Sequence, residues 1–167
     1  VEKTDQEGKL NYSDTIPHGK YYLKELEGLP GYLPYEEKIE IDASYTDPEL
    51  EVISIQKEVE NQPTKVEVTK TDITGEKEVE GARLQIQDEE GNVVEEWTST
   101  NESHIIYALK PGKYILHEEQ APTENGYVKA EDVEFTVEET GEIQKVSMKD
   151  DHTKIEITKT DITGEQE

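Results

Sequence analysis

The chain has 167 residues, of which 31% are hydrophobic, and it carries a net charge of −24 and no cysteine. So acidic a surface disfavours nucleic acid and anionic lipid as partners. The lack of thiols excludes disulfides, thiolate metal sites and cysteine nucleophiles.

Low hydrophobicity with high charge leans toward disorder, yet apolar residues recur at every second position in a series of short segments. The sequence therefore reads as a folded β protein with a strongly acidic exterior. No signal peptide, sorting motif or membrane-inserting segment is visible.

In chain order, the first strand signal lies in "HGKYYLKELEGLPGY", starting at His18. Side chains on a strand alternate between its faces, so Tyr21 and Leu23 share one face and Glu25 is next in line. In "VENQPTK", Val59 leads in the same way to Asn61. "KVEVTKTDITG", from Lys65, puts Val66 and Val68 on the core face and Lys70 after them. "RLQIQ" follows, then "YILHE", where Tyr114 and Leu116 lead to Glu118. "VEFTV" and "KVSM" come next, and Val146 and Met148 lead to Asp150. Finally "KIEITKTDITG", from Lys154, carries Ile155 and Ile157 toward Lys159. Turn signals separate these segments: "DITG", "DEEGN", "KPGK", "TENGY" and "EETGE". Short alternating strands with regular turns and no helical period suggest a β-sandwich or small barrel.

Two of these stretches are near copies of two others. "VENQPTKVEVTKTDITGE" from Val59 aligns with "MKDDHTKIEITKTDITGE" from Met148, and "HGKYYLKELEGLPGY" aligns with "PGKYILHEEQAPTENGY" from Pro111. The two alignments imply a repeat of about 90 residues, large enough to bury a modest core. On this reading residues 64–152 form one complete module. Residues 1–63 correspond to the later part of a preceding module, and residues 153–167 to the opening strand of a following one. The two partial pieces are expected to pack poorly, since each lacks strands of its own module.

An ionisable side chain in line with the core has two ordinary explanations. The strand ends there and the side chain reaches water, which lysine does readily. Alternatively the groups form a buried salt bridge, which contributes little net stability. One lysine and two carboxylates do not balance in charge, however, and the Asp150 position is Asn61 in the other copy. Asp and Asn share a γ-carbonyl carbon, which a lysine amine can attack to form an isopeptide bond, releasing water or ammonia. An exposed lysine is neutral in only about one molecule in 2,500 at pH 7. Burial among apolar groups drives a lysine pKa down toward about 5–6 and a carboxyl pKa up. A protonated Glu118 would then donate to the γ-carbonyl and relay a proton to the leaving group.

The quoted segments also resemble the Cna protein B-type (CnaB) family and the related SpaA-like pilin domains. "KVEVTKTDITGEKEVEGARLQIQDEEGNVV", "PGKYILHEEQAPTENGY" and "VSMKDD" carry the resemblance across residues 64–152, and "IPHGKYYLKE" and "VENQPTK" carry it into residues 1–63. The resemblance implies an all-β, prealbumin-like, immunoglobulin-related sandwich, used in tandem in stalks and pilins on Gram-positive surfaces. It also implies a self-generated Lys–Asp or Lys–Asn isopeptide bond promoted by a buried acid. By position, Lys70 is the amine, Asp150 the acceptor and Glu118 the promoting acid. Glu25 and Asn61 are the acid and acceptor of the preceding module, and Lys159 the amine of the following one. Asp151 adjoins the acceptor, but strand parity and the alignment with Asn61 favour Asp150. The partner lysine of Asn61 is left open: Lys3 has a similar "KTD" context, but its surroundings fit a middle hairpin better.

The expected function is a structural spacer in a cell-wall-anchored adhesin or pilin-like protein, with one self-modification per module and no turnover. Its implied partners are other repeats of the same chain and cell-wall peptidoglycan through an anchor. Two alternatives are an adhesive module that grips a host matrix protein or glycan, and an accessory spacer in a large secreted enzyme. Glu118 and Glu119 point to opposite strand faces and do not form a glycosidase pair. His18, His104, His117 and His152 lack ligand spacing, and no loop has the alternating acidic pattern of a calcium site, so no metal or cofactor is implied. Trp97 reads as a core or half-buried strand residue.

Overall fold

The computed structural model describes residues 2–10, 16–44 and 55–160. It falls into two compact units, Val1–Leu26 with Tyr35–Glu60, and Glu27–Pro34 with Asn61–Glu167. Among the described residues the regular structure is β apart from one 3-10 turn at Thr123–Asn125.

The first unit holds β1 (Lys20–Leu23) and β2 (Ile39–Asp42), an antiparallel pair in which Tyr21 faces Ile41. Its strands are short and mostly exposed.

The second unit contains two four-stranded sheets. One is built from β3 (Lys65–Asp72), β6 (His104–Tyr107), β8 (Tyr127–Val128) and β10 (Ile143–His152), in the order β6-β3-β10-β8. The other comprises β4 (Arg83–Asp88), β5 (Val93–Thr98), β7 (Gly112–Gln120) and β9 (Val133–Val137), in the order β5-β4-β7-β9. The β3–β10 pairing is parallel, whereas every other pairing is antiparallel. The first and last long strands of the unit are thus neighbours at the centre of one sheet.

Alternation explains how the core fills. Val66 and Val68 of β3, Leu84 and Ile86 of β4, Tyr114 and Leu116 of β7, and Val146 and Met148 of β10 all point inward and are buried. Their outward neighbours carry the charge, and Lys145 reaches Glu67 at 3.2 Å across the parallel pair.

The central strands and β9 are the segments whose alternation is plain in the sequence. β5, β6 and β8 are edge strands, and their patterns are weaker. In β5 the register slips, so that Ile86 faces Glu95 and Gln87 faces Val93, leaving Val94 unopposed. This bulge breaks the two-residue period. β6 spans only four residues and β8 two.

The turns are closed by aspartates. Asp72 Oδ1 accepts the amides of Thr74 and Gly75, each at 3.1 Å, and Asp88 Oδ1 accepts those of Glu90 and Asn92 at 3.0 and 2.8 Å. Both carboxyls lie below the ordinary aspartate range, chiefly through side-chain hydrogen bonds from Thr74 and Asn92. Gly75 and Gly91, at φ +81° and +82°, supply the left-handed residue that each turn requires.

Beyond β10 the chain lacks a ladder through Lys159. Ile155 and Ile157 are 82% and 88% exposed, although their counterparts Val66 and Val68 are fully buried.

Leu116 is completely buried between the sheets. Leu116→Ala is expected to destabilise the second unit by about 2–5 kcal/mol, the range for a truncated core leucine. Val94→Ala, at the exposed bulge, should cost under about 0.5 kcal/mol. Urea unfolding of the two variants measures the contrast.

Candidate functional site

Continued alternation carries three ionisable side chains into the core. Lys70 follows Val66 and Val68 on β3, Glu118 follows Tyr114 and Leu116 on β7, and Asp150 follows Val146 and Met148 on β10. Lys70 is 2% exposed, and Glu118 and Asp150 are fully buried. Lys70 is in register with Met148, so Asp150 is two positions further along the parallel neighbour and on the same face. Glu118 reaches them from the facing sheet.

The ammonium nitrogen of Lys70 lies 2.5 Å from Asp150 Oδ1 and 2.9 Å from Glu118 Oε1. The Asp150 contact is a hydrogen bond, whereas Glu118 Oε1 lies outside hydrogen-bond geometry. Glu118 Oε2 accepts the Ala130 amide at 2.7 Å, which fixes the carboxyl's orientation. Asp150 Oδ2 and Glu118 Oε1 have no hydrogen-bond partner among the described residues.

Two carboxyls facing one ammonium leave a surplus negative charge in a dry site. Burial pushes the Asp150 carboxyl above its ordinary range, Lys70 opposes the shift, and the charge of Glu118 adds to it.

The backbone of Lys70 is also held. β6 accompanies β3 only as far as Val68. Past that point Glu78 takes over the open edge: its carboxylate accepts the Lys70 amide at 3.0 Å, and the next residue, Val79, donates its amide to the Lys70 carbonyl at 2.7 Å. Neither Glu78 nor the Ala130 amide is legible as part of the site in the sequence. Glu78 sits in an acidic loop among many carboxylates, and a backbone amide has no sequence signal.

Asp151 sits outside the cluster. It is half-buried, pairs with Lys154 at 2.6 Å and accepts the His152 amide at 2.8 Å. The Lys154 hydrogen bond holds its carboxyl below the usual range.

The remaining candidates lie in other settings. Glu25, half-buried just after β1, accepts the Tyr35 amide at 2.6 Å. This repeats the bond between Glu118 and Ala130, since Tyr35 and Ala130 occupy equivalent positions in the two copies. Asn61 is half-buried in the approach to β3 and belongs to the second unit, whereas Glu25 belongs to the first. Lys3 and Lys159 are exposed.

Of the four histidines, His104 stacks on Trp97 at 4.5 Å between ring centroids, and His152 stacks on Tyr127 at 4.3 Å. His117 meets Asp132 at 2.7 Å, and His18 is exposed. Trp97 is half-buried and packs against the core cluster.

The two-sheet β-fold of the second unit accords with the comparisons. The sequence profile of the SpaA prealbumin-like fold domain matches residues 64–152. The chain belongs to this family. The SpaA-type chain is also similar to the Bacillus anthracis TIE protein, at 28% identity and a TM-score of 0.53, over 82% of this chain and 26% of that one. A major pilin subunit of Bacillus cereus, BcpA carrying the D312A substitution, matches at 27% identity over 52% of this chain and 28% of its own, with a TM-score of 0.45. The minor pilin GBS52 of Streptococcus agalactiae matches at 16% identity over 95% and 70%, with a TM-score of 0.49. The chain thus spans about a quarter of the TIE and BcpA chains. Among curated protein sequences, none matches it.

Asp150→Ala strips the ammonium of its closest partner inside the core and is expected to destabilise the SpaA-type domain by about 3–5 kcal/mol. Asp151→Ala, one residue away, removes a surface pair and should cost at most about 1 kcal/mol. Thermal unfolding of both variants at one pH provides the comparison.

Proposed function

We propose that the chain is a load-bearing spacer of a Gram-positive surface protein or pilus, built from tandem SpaA-type modules, and that its complete module crosslinks itself between Lys70 and Asp150. The observation that carries this reading is the placement of the Lys70 nitrogen 2.5 Å from an Asp150 carboxyl oxygen, in a site sealed from water and faced by a second acid. An ion pair alone gives no reason for that second acid.

The chemistry balances without a cofactor. In the amine–acid form of the cluster, the Lys70 nitrogen uses its lone pair to attack Cγ of Asp150. Glu118 donates a proton to the carbonyl oxygen and takes one from the nitrogen. It then delivers a proton to the departing hydroxyl and takes one back from the remaining hydroxyl as the amide carbonyl forms. One C–N bond forms, one C–O bond breaks, water leaves, and Glu118 ends as it began. Confinement by three strands and the Ala130 amide supplies the positioning that such a step requires. Each module reacts once, so the chain is a substrate of its own fold rather than an enzyme.

The bond would close a loop spanning 80 residues. By analogy with disulfide loop closure it stabilises by roughly 4–5 kcal/mol. It would also set the path of force. Tension entering at the start of β3 and leaving at the end of β10 would run through residues 65–70, the bond and residues 150–152, and bypass the strands between. The surface location, partner modules and wall attachment belong to this same reading.

Intact-mass spectrometry of the folded chain is expected to give a mass one water below that of the sequence. Lys70→Ala and Glu118→Ala should each restore the full mass and lower Tm by roughly 15 °C or more. A well-folded wild-type chain of unmodified mass would reduce the cluster to a buried ion pair.

A further inference from the structure

The segment Glu27–Pro34 clusters with the second unit, although by sequence it belongs to the preceding copy of the repeat. Its contacts have a pattern. Tyr32 bridges to Pro63, the Leu33 amide donates to the Gln62 carbonyl at 2.8 Å, and the Thr64 amide donates to the Gly31 carbonyl at 2.9 Å. One repeat later, Tyr127 pairs with His152, Val128 pairs with Asp151, and the Thr153 amide donates to the Gly126 carbonyl at 2.9 Å. Residue by residue these are the same contacts. Residues 31–33 with 62–64 are therefore the counterpart of β8 and the end of β10.

The two copies differ in what lies against them. Gly31 sits directly under Ala108, at the corner between β6 and β7. A Cβ built on Gly31 would lie 2.1 Å from the Ala108 carbonyl oxygen. Ala108 has φ 60°, the lone left-handed non-glycine residue among those described, a strained state that persists where surrounding contacts hold it. Thr64 ties the corner down. Its carbonyl accepts the Ala108 amide at 3.0 Å, its hydroxyl donates to the Leu109 carbonyl at 2.6 Å, and it is 1% exposed. At the second copy, Thr153 is exposed, and no described atom lies within 4 Å of a Cβ built on Gly126.

We propose that the Gly31–Ala108–Thr64 contact is a joint between consecutive modules. The edge formed by Gly126, Tyr127 and Thr153 is then the seat for the β6–β7 corner of a further copy of the same module. The same surface, one repeat earlier, already holds that corner, which identifies the occupant. The inference rests on the tandem-module reading but not on the crosslink.

Gly31 and Gly126 have matching φ values, +84° and +82°. An alanine therefore brings the same backbone strain to both, and the collision with Ala108 to Gly31 alone. In the full chain, Gly31→Ala is expected to speed hydrogen exchange of the Thr64 and Ala108 amides about tenfold, the scale of an overpacked contact. Thr64→Val, which keeps the shape and loses the hydroxyl, should speed exchange at Ala108. Gly126→Ala should leave both amides unchanged. When a further copy of residues 64–152 is appended after His152 of the full chain, Gly126→Ala should gain the tenfold effect at the new junction. Unchanged exchange at Thr64 and Ala108 in Gly31→Ala would overturn the joint. An identical response to Gly126→Ala with and without the appended copy would overturn the seat. Intact mass read on every variant reports the crosslink separately, since neither glycine touches Lys70, Glu118 or Asp150.

Discussion

The organising constraint of this domain is one basic and two acidic side chains buried together in its core. Moving any one of them out of water alone costs several kcal/mol, so each is tolerable only with the others in place. That requirement fixes the register of three strands. β3 and β10 must run side by side and in parallel, so that Lys70 reaches diagonally to Asp150, and β7 of the facing sheet must present Glu118 at the same depth. The apolar residues ahead of each group on its strand hold that depth, and Glu78 and the Ala130 amide fix the remaining freedom.

The two copies of the repeat repeat the supporting contacts as well as the residues. Glu118 leans on Ala130 and Glu25 on Tyr35, with nearly equal distances. β1 and β2 pair as β7 and β9 do. The contact between the acid and its backbone partner is thus encoded within a short stretch and recurs in both copies. The same holds at the module's end, where a glycine carbonyl receives a threonine amide in both copies. Both copies thus keep this closing contact between chain segments about 30 residues apart.

The candidate site was legible because strand parity is a strict rule: a residue two positions beyond a buried one faces the same way. Parity pointed to Lys70, Glu118 and Asp150, and it separated Asp150 from Asp151, which lies half-buried against Lys154. It had less to work with at the sheet edges. The β5 bulge, the four-residue β6 and the two-residue β8 carry too short or too broken a pattern. The helpers of the site were hidden for another reason. Glu78 is one acid among many, and a backbone amide is the same at every residue.

By itself, the sequence determined the all-β class, the central strands, the inward face of each and the internal repetition, because these follow from a period of two and from near-identical strings. Tertiary structure alone decided that β3 and β10 are parallel neighbours, that β7 faces them from the other sheet, and that Gly31 lies beneath Ala108. Those facts concern residues far apart along the chain. Alternation tells which way a side chain points, but only the closed sandwich says what it meets.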